Sequence, residues 1–169
     1  MKKLLPIVLV LLACNAFGES KEIAELRKKA EAGDKIAQVK LGLALRAELH
    51  KKAEAGDLDA QLKLGYVYLW GESPAPGMLG TVDPLEAVKW YRKAAEQGDA
   101  YAQYNLGIMH IDQFVLKEDY KEAVKWFRLA ALQGDAGALY ELGGLYFQGN
   151  GVLKDYVSAY ALLNLYGYY

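Results

Sequence analysis

Trp126-Phe127-Arg128-Leu129-Ala130-Ala131-Leu132-Gln133-Gly134-Asp135 restates, 36 residues further along the chain, Trp90-Tyr91-Arg92-Lys93-Ala94-Ala95-Glu96-Gln97-Gly98-Asp99. The Gly-Asp pair that closes both segments occurs twice more, as Gly33-Asp34 and Gly56-Asp57. Four residues after these glycines stand Ala37, Ala60, Ala102 and Ala138. Eight residues after them come Leu41-Gly42, Leu64-Gly65, Leu106-Gly107 and Leu142-Gly143. A fixed period of about 20–50 residues marks a solenoid, whose units cannot bury their apolar faces alone and must stack.

A second marker shows where the array is irregular. Asp83, Asp119 and Asp155 are each 36 residues apart and are followed by Ala87, Ala123 and Ala159. The step from Gly56 to Gly98 is 42 residues, so extra chain lies between Leu64 and Asp83. Gly71-Glu72-Ser73-Pro74-Ala75-Pro76-Gly77 in that interval is a loop by composition. The step from Gly33 to Gly56 is only 23 residues and has lost about a helix length. The sequence therefore predicts one long helix over Ile36 to Ala55.

Each full unit reads as two helices. Gly98 ends one helix and Asp99 caps the next, the usual placement of these residue types. A first helix is predicted over Ala102 to Asp112, and a second from Asp119, with Glu122 completing a capping box. Asp83-Pro84-Leu85-Glu86 repeats the device with Pro at the first helical position. In Asp155-Tyr156-Val157-Ser158 the Glu is replaced, and a weaker cap is expected. Ala123, Trp126, Phe127 and Ala130 share one helical stripe, matched by Ala87, Trp90, Tyr91 and Ala94, and by Ala159, Leu162 and Leu163.

Met1-Lys2-Lys3 followed by the uncharged, apolar Leu4 to Ala13 has the form of a secretory signal segment, too short for a membrane span. Two processing readings fit. Ala16-Phe17-Gly18 allows cleavage after Gly18, giving a signal peptide over 1–18. Leu11-Leu12-Ala13-Cys14 resembles a lipoprotein processing site that would place a lipid anchor on Cys14. The expected location is accordingly periplasmic or secreted, or else an outer-membrane lipoprotein. In neither case can an internal disulfide form, because Cys14 is the one cysteine. Loss of residues 1–18 leaves 18 basic against 21 acidic side chains, which disfavours a nucleic-acid partner.

The motifs quoted above, with Ala102-Gln103-Tyr104-Asn105-Leu106-Gly107 and the loop Tyr146-Phe147-Gln148-Gly149-Asn150-Gly151-Val152, resemble the Sel-one-like repeat family. The resemblance covers roughly residues 28–165. It implies an all-α fold, a right-handed α/α solenoid of helix-turn-helix repeats similar to the tetratricopeptide superhelix. The expected organisation is an abbreviated repeat over 19–57 and three repeats over 58–97, 98–133 and 134–169. Asp112-Gln113-Phe114-Val115 departs from the family's Gly-rich loop. The resemblance implies protein–protein interaction, as a scaffold or adaptor in the bacterial envelope, and no shared catalytic set, metal or cofactor. By analogy with tetratricopeptide arrays, the first helix of each unit lines a concave face. That assigns Leu62, Tyr66, Leu69, Tyr101, Tyr104, Ile108, Tyr140 and Phe147 to partner binding. All thirteen tyrosines lie between Tyr66 and Tyr169, and rings of this kind anchor protein partners. The competing expectation is that the rings pack between repeats. Tyr166-Gly167-Tyr168-Tyr169 is apolar and suits self-association.

Signs of chemistry are sparse. The chain after residue 18 holds two histidines, three serines and one threonine. His110 stands where Tyr68 and Tyr146 stand in other units and is expected to pack, and His50 is expected to be solvated. No histidine pair has a metal-ligand spacing, and no serine lies in a nucleophile elbow. Gly149-Asn150-Gly151 lacks the Lys-Ser/Thr of a phosphate cradle. The expectation is a non-enzyme. The alternatives are a structural subunit completed through the last helix, or a cell-wall-active enzyme.

Overall fold

The computed structural model describes residues 20–71, 82–113 and 115–167. The predicted signal segment, Cys14, most of the Gly71–Gly77 loop and Tyr168-Tyr169 lie outside the described residues. Among the described residues there are eight helices and no strand. The chain divides at Asp83/Pro84 into two compact units.

The first unit holds α1 (Lys21–Glu31), α2 (Lys35–Glu54) and α3 (Leu58–Trp70). α2 is the single long helix that the 23-residue step predicts. Ile23 and Ala30 of α1 are buried against Ala37 and Leu41 of α2, with Leu26, Ala44 and Leu45 partly covered at the edge. Charged pairs such as Glu48–Lys52, 3.2 Å apart, occupy the outer surface.

The second unit holds α4 (Pro84–Glu96), α5 (Ala100–Ile111), α6 (Tyr120–Leu132), α7 (Ala136–Gln148) and α8 (Tyr156–Tyr166). Its core joins Ala123, Val124, Phe127 and Ala130 of α6 to Ala138, Leu142 and Leu145 of α7. Tyr91 of α4 and Phe127 are fully buried. Close packing depends on glycine at several places, Gly107 among them. A Cβ on Gly107 would stand 2.6 Å from a ring carbon of Phe127.

The Gly-Asp junctions explain why the pattern folds this way. Gly33, Gly56, Gly98 and Gly134 all adopt φ between 85° and 96°, where side chains other than hydrogen are strained. Each junction is a Schellman turn. Asp34, Asp57, Asp99 and Asp135 donate their backbone N–H to Lys29, Lys52, Ala94 and Ala130 at 3.1–3.3 Å. The same four carboxylates then cap the next helix, accepting from Ala37, Ala60, Ala102 and Ala138 at 2.7–3.0 Å. One dipeptide thus satisfies the end of one helix and the start of another.

The last cap has Ser158 where the other second-helix caps carry Glu. Asp155 accepts from the backbone of Val157 and Ser158, and the Ser158 hydroxyl donates to it at 2.6 Å. The Asp155 N–H is itself taken up by the Tyr146 carbonyl at 3.0 Å, and the bonds to Asp155 hold its carboxyl below its ordinary pKa.

Candidate functional site

The caps set the rotation of every first helix. With Ala37/Leu41, Ala60/Leu64, Ala102/Leu106 and Ala138/Leu142 turned into the core, the intervening side chains face outward. In the first unit α3 carries Leu62 and Leu69 half-buried and Tyr66 exposed. In the second, α5 carries Tyr101 exposed with Tyr104 and Ile108 half-buried, and α7 carries Tyr140 and Phe147 exposed.

The rings of the second unit are neither free nor fully packed. Tyr101 meets Tyr91 edge-on at 6.2 Å, and Tyr104 tilts against Phe127 at 6.0 Å. Tyr140 rests on Tyr166 at 5.3 Å, and Phe147 on Tyr156 at 5.4 Å. Each first-helix ring leans one side on a second-helix ring. Tyr104 and Ile108 contribute to the core, while Tyr101, Tyr140 and Phe147 present broad surface to solvent.

Charge on this face is one-sided. α5 contains no Asp, Glu, Lys or Arg, and α7 contains only Glu141. Burial pushes the Glu141 carboxyl above its ordinary pKa. The Tyr104 hydroxyl is raised too, first by burial and then by the negative field of Glu141 and Asp135. Tyr104 owes its position to Gly137, where a Cβ would stand 2.8 Å from the ring. Gly144, two turns further along α7, has nothing within 4 Å of where its Cβ would be.

His110 is buried, as its position in the repeat predicts, and its carbonyl accepts the Asp119 N–H at 2.9 Å. Tyr68 and Tyr146 make the same bond to Asp83 and Asp155. Burial, and then Arg92, lower the His110 pKa. His50 corrects a sequence expectation. It is half-buried rather than solvated, its Nε2 lying 3.1 Å from the Tyr68 hydroxyl. That partner is 18 residues away in the chain. Among the described residues no three His, Cys, Asp or Glu side chains gather as metal ligands.

Two features escaped the sequence reading although their signal was present. Ile36, Val39 and Leu43 of α2 are exposed at the repeat positions of Tyr101, Tyr104 and Ile108. Gln38, Gln61 and Gln103, each five residues after a repeat glycine, donate to the carbonyls of Ala30, Ala53 and Ala95 at 3.0–3.2 Å. They bolt each first helix to the end of the helix before it. In the second unit Gln133 adds a longer tie, donating to the Gly98 carbonyl and the Gln103 side chain, both at 2.9 Å.

The Sel1 repeat pattern matches residues 58–99, 100–135 and 136–165, more than half of the chain. The chain belongs to the Sel1 repeat family. Sel1 repeat proteins are generally scaffolds for protein interaction and are typically non-catalytic. The chain is 36% identical to c5321, a protective antigen present in uropathogenic Escherichia coli strains that displays an SLR fold, with a TM-score of 0.64. That match covers 86% of this chain but only 33% of the antigen, so the chain spans about a third of that relative's length. It is 34% identical to a Sel1 repeat protein from Oxalobacter formigenes, covering 72% of this chain and 87% of that one with a TM-score of 0.61. Comparison with curated proteins gives no match. The Sel1 repeat fold is an α/α solenoid, in agreement with the helices described above. Among the described residues no helix is long and apolar enough to cross a membrane.

Proposed function

We propose that the chain is an exported interaction scaffold of the bacterial envelope that captures a partner protein or peptide on the concave, aromatic-rich face of its first helices. One observation carries this reading. In the second unit the second helices α4 and α6 bury their rings at Trp90, Tyr91 and Phe127, whereas the first helices α5 and α7 expose Tyr101, Tyr140 and Phe147. Rings held partly immobile by neighbours lose little entropy on docking and offer large area, the combination found at binding hot spots. The exported location rests on residues 1–18 and is supported by the description of c5321 as an antigen.

The test is in-cell photocrosslinking from Tyr101, with Tyr101→Ala plus Tyr140→Ala as the control pair. Both rings are largely exposed, so the double variant is expected to keep its circular dichroism while losing the crosslinked partner captured through a neighbouring probe. Undiminished capture by the folded variant would sink the assignment.

A second reading is favoured by α8. This helix has no charged residue and exposes Val157, Tyr160 and Leu165, as expected of a structural subunit completed by self-association near Tyr166. A sedimentation coefficient that rises with concentration supports that reading, and a constant one removes it.

A further inference from the structure

The last first helix, α7, differs from its counterparts at one place. Ten residues after the repeat glycine stand Leu43, Tyr66 and Ile108, and in α7 the position is Gly144. The omission leaves open surface, since nothing lies within 4 Å of the Cβ site. Three walls surround this gap: Tyr140 four residues before, Glu141 three before and Phe147 three after, all on neighbouring helical positions. Tyr140 and Phe147 are exposed, and Glu141 is half-buried. Several acids elsewhere among the described residues sit beside a lysine one turn away, as Glu25 with Lys29 at 3.0 Å. Glu141 is the single charged side chain of α5 and α7 together, and no cation on either helix can answer it.

We infer that this gap takes a lysine or arginine side chain of the partner, with its apolar stem over Gly144 between Tyr140 and Phe147 and its charge on the Glu141 carboxylate. The inference rests on reading the first-helix face as a partner surface. The chemistry is complementary on each side. A half-buried carboxylate with two exposed aromatic rings on neighbouring helical positions attracts a cation through charge and, where a ring face is reached, through the ring quadrupole. The long methylene stem of Lys or Arg covers apolar wall while its head stays polar. An acidic side chain in the same gap would meet Glu141 and the electron-rich ring faces, and is rejected.

The probe is a phage-displayed random dodecapeptide library, selected separately on the wild type, Glu141→Gln, Glu141→Lys and Gly144→Leu. Gly144→Leu fills open space within a helix and is expected to fold at least as well as the wild type, checked by circular dichroism. Peptides selected on the wild type are expected to be rich in Lys or Arg. That enrichment should vanish on Glu141→Gln and on Gly144→Leu, and turn to Asp or Glu on Glu141→Lys. Replacing the selected cation with norleucine should weaken binding about tenfold to the wild type and hardly at all to Glu141→Gln, the coupling that a direct contact requires. Selected peptides without cation enrichment, or with equal enrichment on Glu141→Gln, overturn the cationic gap while the binding face survives. Failure of every variant to select any peptide overturns both.

Discussion

α6 and α8 occupy the same place in successive repeats, yet one is buried and the other is bare. Val124 of α6 is 3% exposed and its counterpart Tyr160 of α8 is 71% exposed. Phe127 is 0% exposed, against 36% for Leu163. The two helices start from the same Asp cap and turn the same alanine, Ala123 or Ala159, into the core. What differs is the neighbour: α7 lies over α6, and no described helix lies over α8 in the same way. Burial in this fold is therefore conferred by the next repeat, as expected of a stack in which stability resides in nearest-neighbour interfaces.

Truncating the paired residues breaks the comparison most sharply. Phe127→Ala is expected to cost about 3–5 kcal/mol, and Leu163→Ala about 1 kcal/mol, read from denaturant midpoints. Equal losses would mean that α8 is covered after all.

The facing glycines sharpen it. In Gly107→Ala the new methyl meets the immobile Phe127 ring, and a net loss of about 1–2 kcal/mol is expected after the helix-propensity gain. In Gly143→Ala the nearest atom is Leu163 Cγ at 2.9 Å, on a half-exposed side chain that can swing aside. Its effect should stay within about 0.5 kcal/mol of zero. A Gly143→Ala variant as unstable as Gly107→Ala would show Leu163 to be pinned.

The smallest effect separates the two hairpins by pH. His110 stands at the α5–α6 turn where Tyr146 stands at the α7–α8 turn. Its depressed pKa means that the unfolded chain takes up the proton more readily than the folded one. The stabilisation is present above the ordinary histidine value near 6.5 and is lost as pH falls from there toward the depressed one. His110→Tyr should remove this component, so the stability difference between variant and wild type should change between about pH 7 and 5. A constant difference would place a charged His110 in the folded state.

Much of this is legible in the sequence. The Gly-Asp junctions and the long α2 follow from local rules: a backbone that needs positive φ, a carboxylate at an N-cap, a shortened repeat. The core stripe of α6 was equally plain from its period. The site was less so, because exposure is settled by what stands opposite. Tyr104 is half-buried because Gly137 leaves room for its ring, and His50 because Tyr68 reaches it from another helix. Ile36, Val39 and Leu43 could have been found by carrying the repeat alignment back to Gly33.

Each Gly-Asp junction closes one helix and opens the next with the same set of bonds, at four places in the chain. The joint is therefore interchangeable. A genetic crossover between Gly98-Asp99 and Gly134-Asp135 would add or delete a whole two-helix repeat with the junctions on both sides already capped. Array length in such a fold is therefore open to change in whole repeats, without rebuilding a helix end.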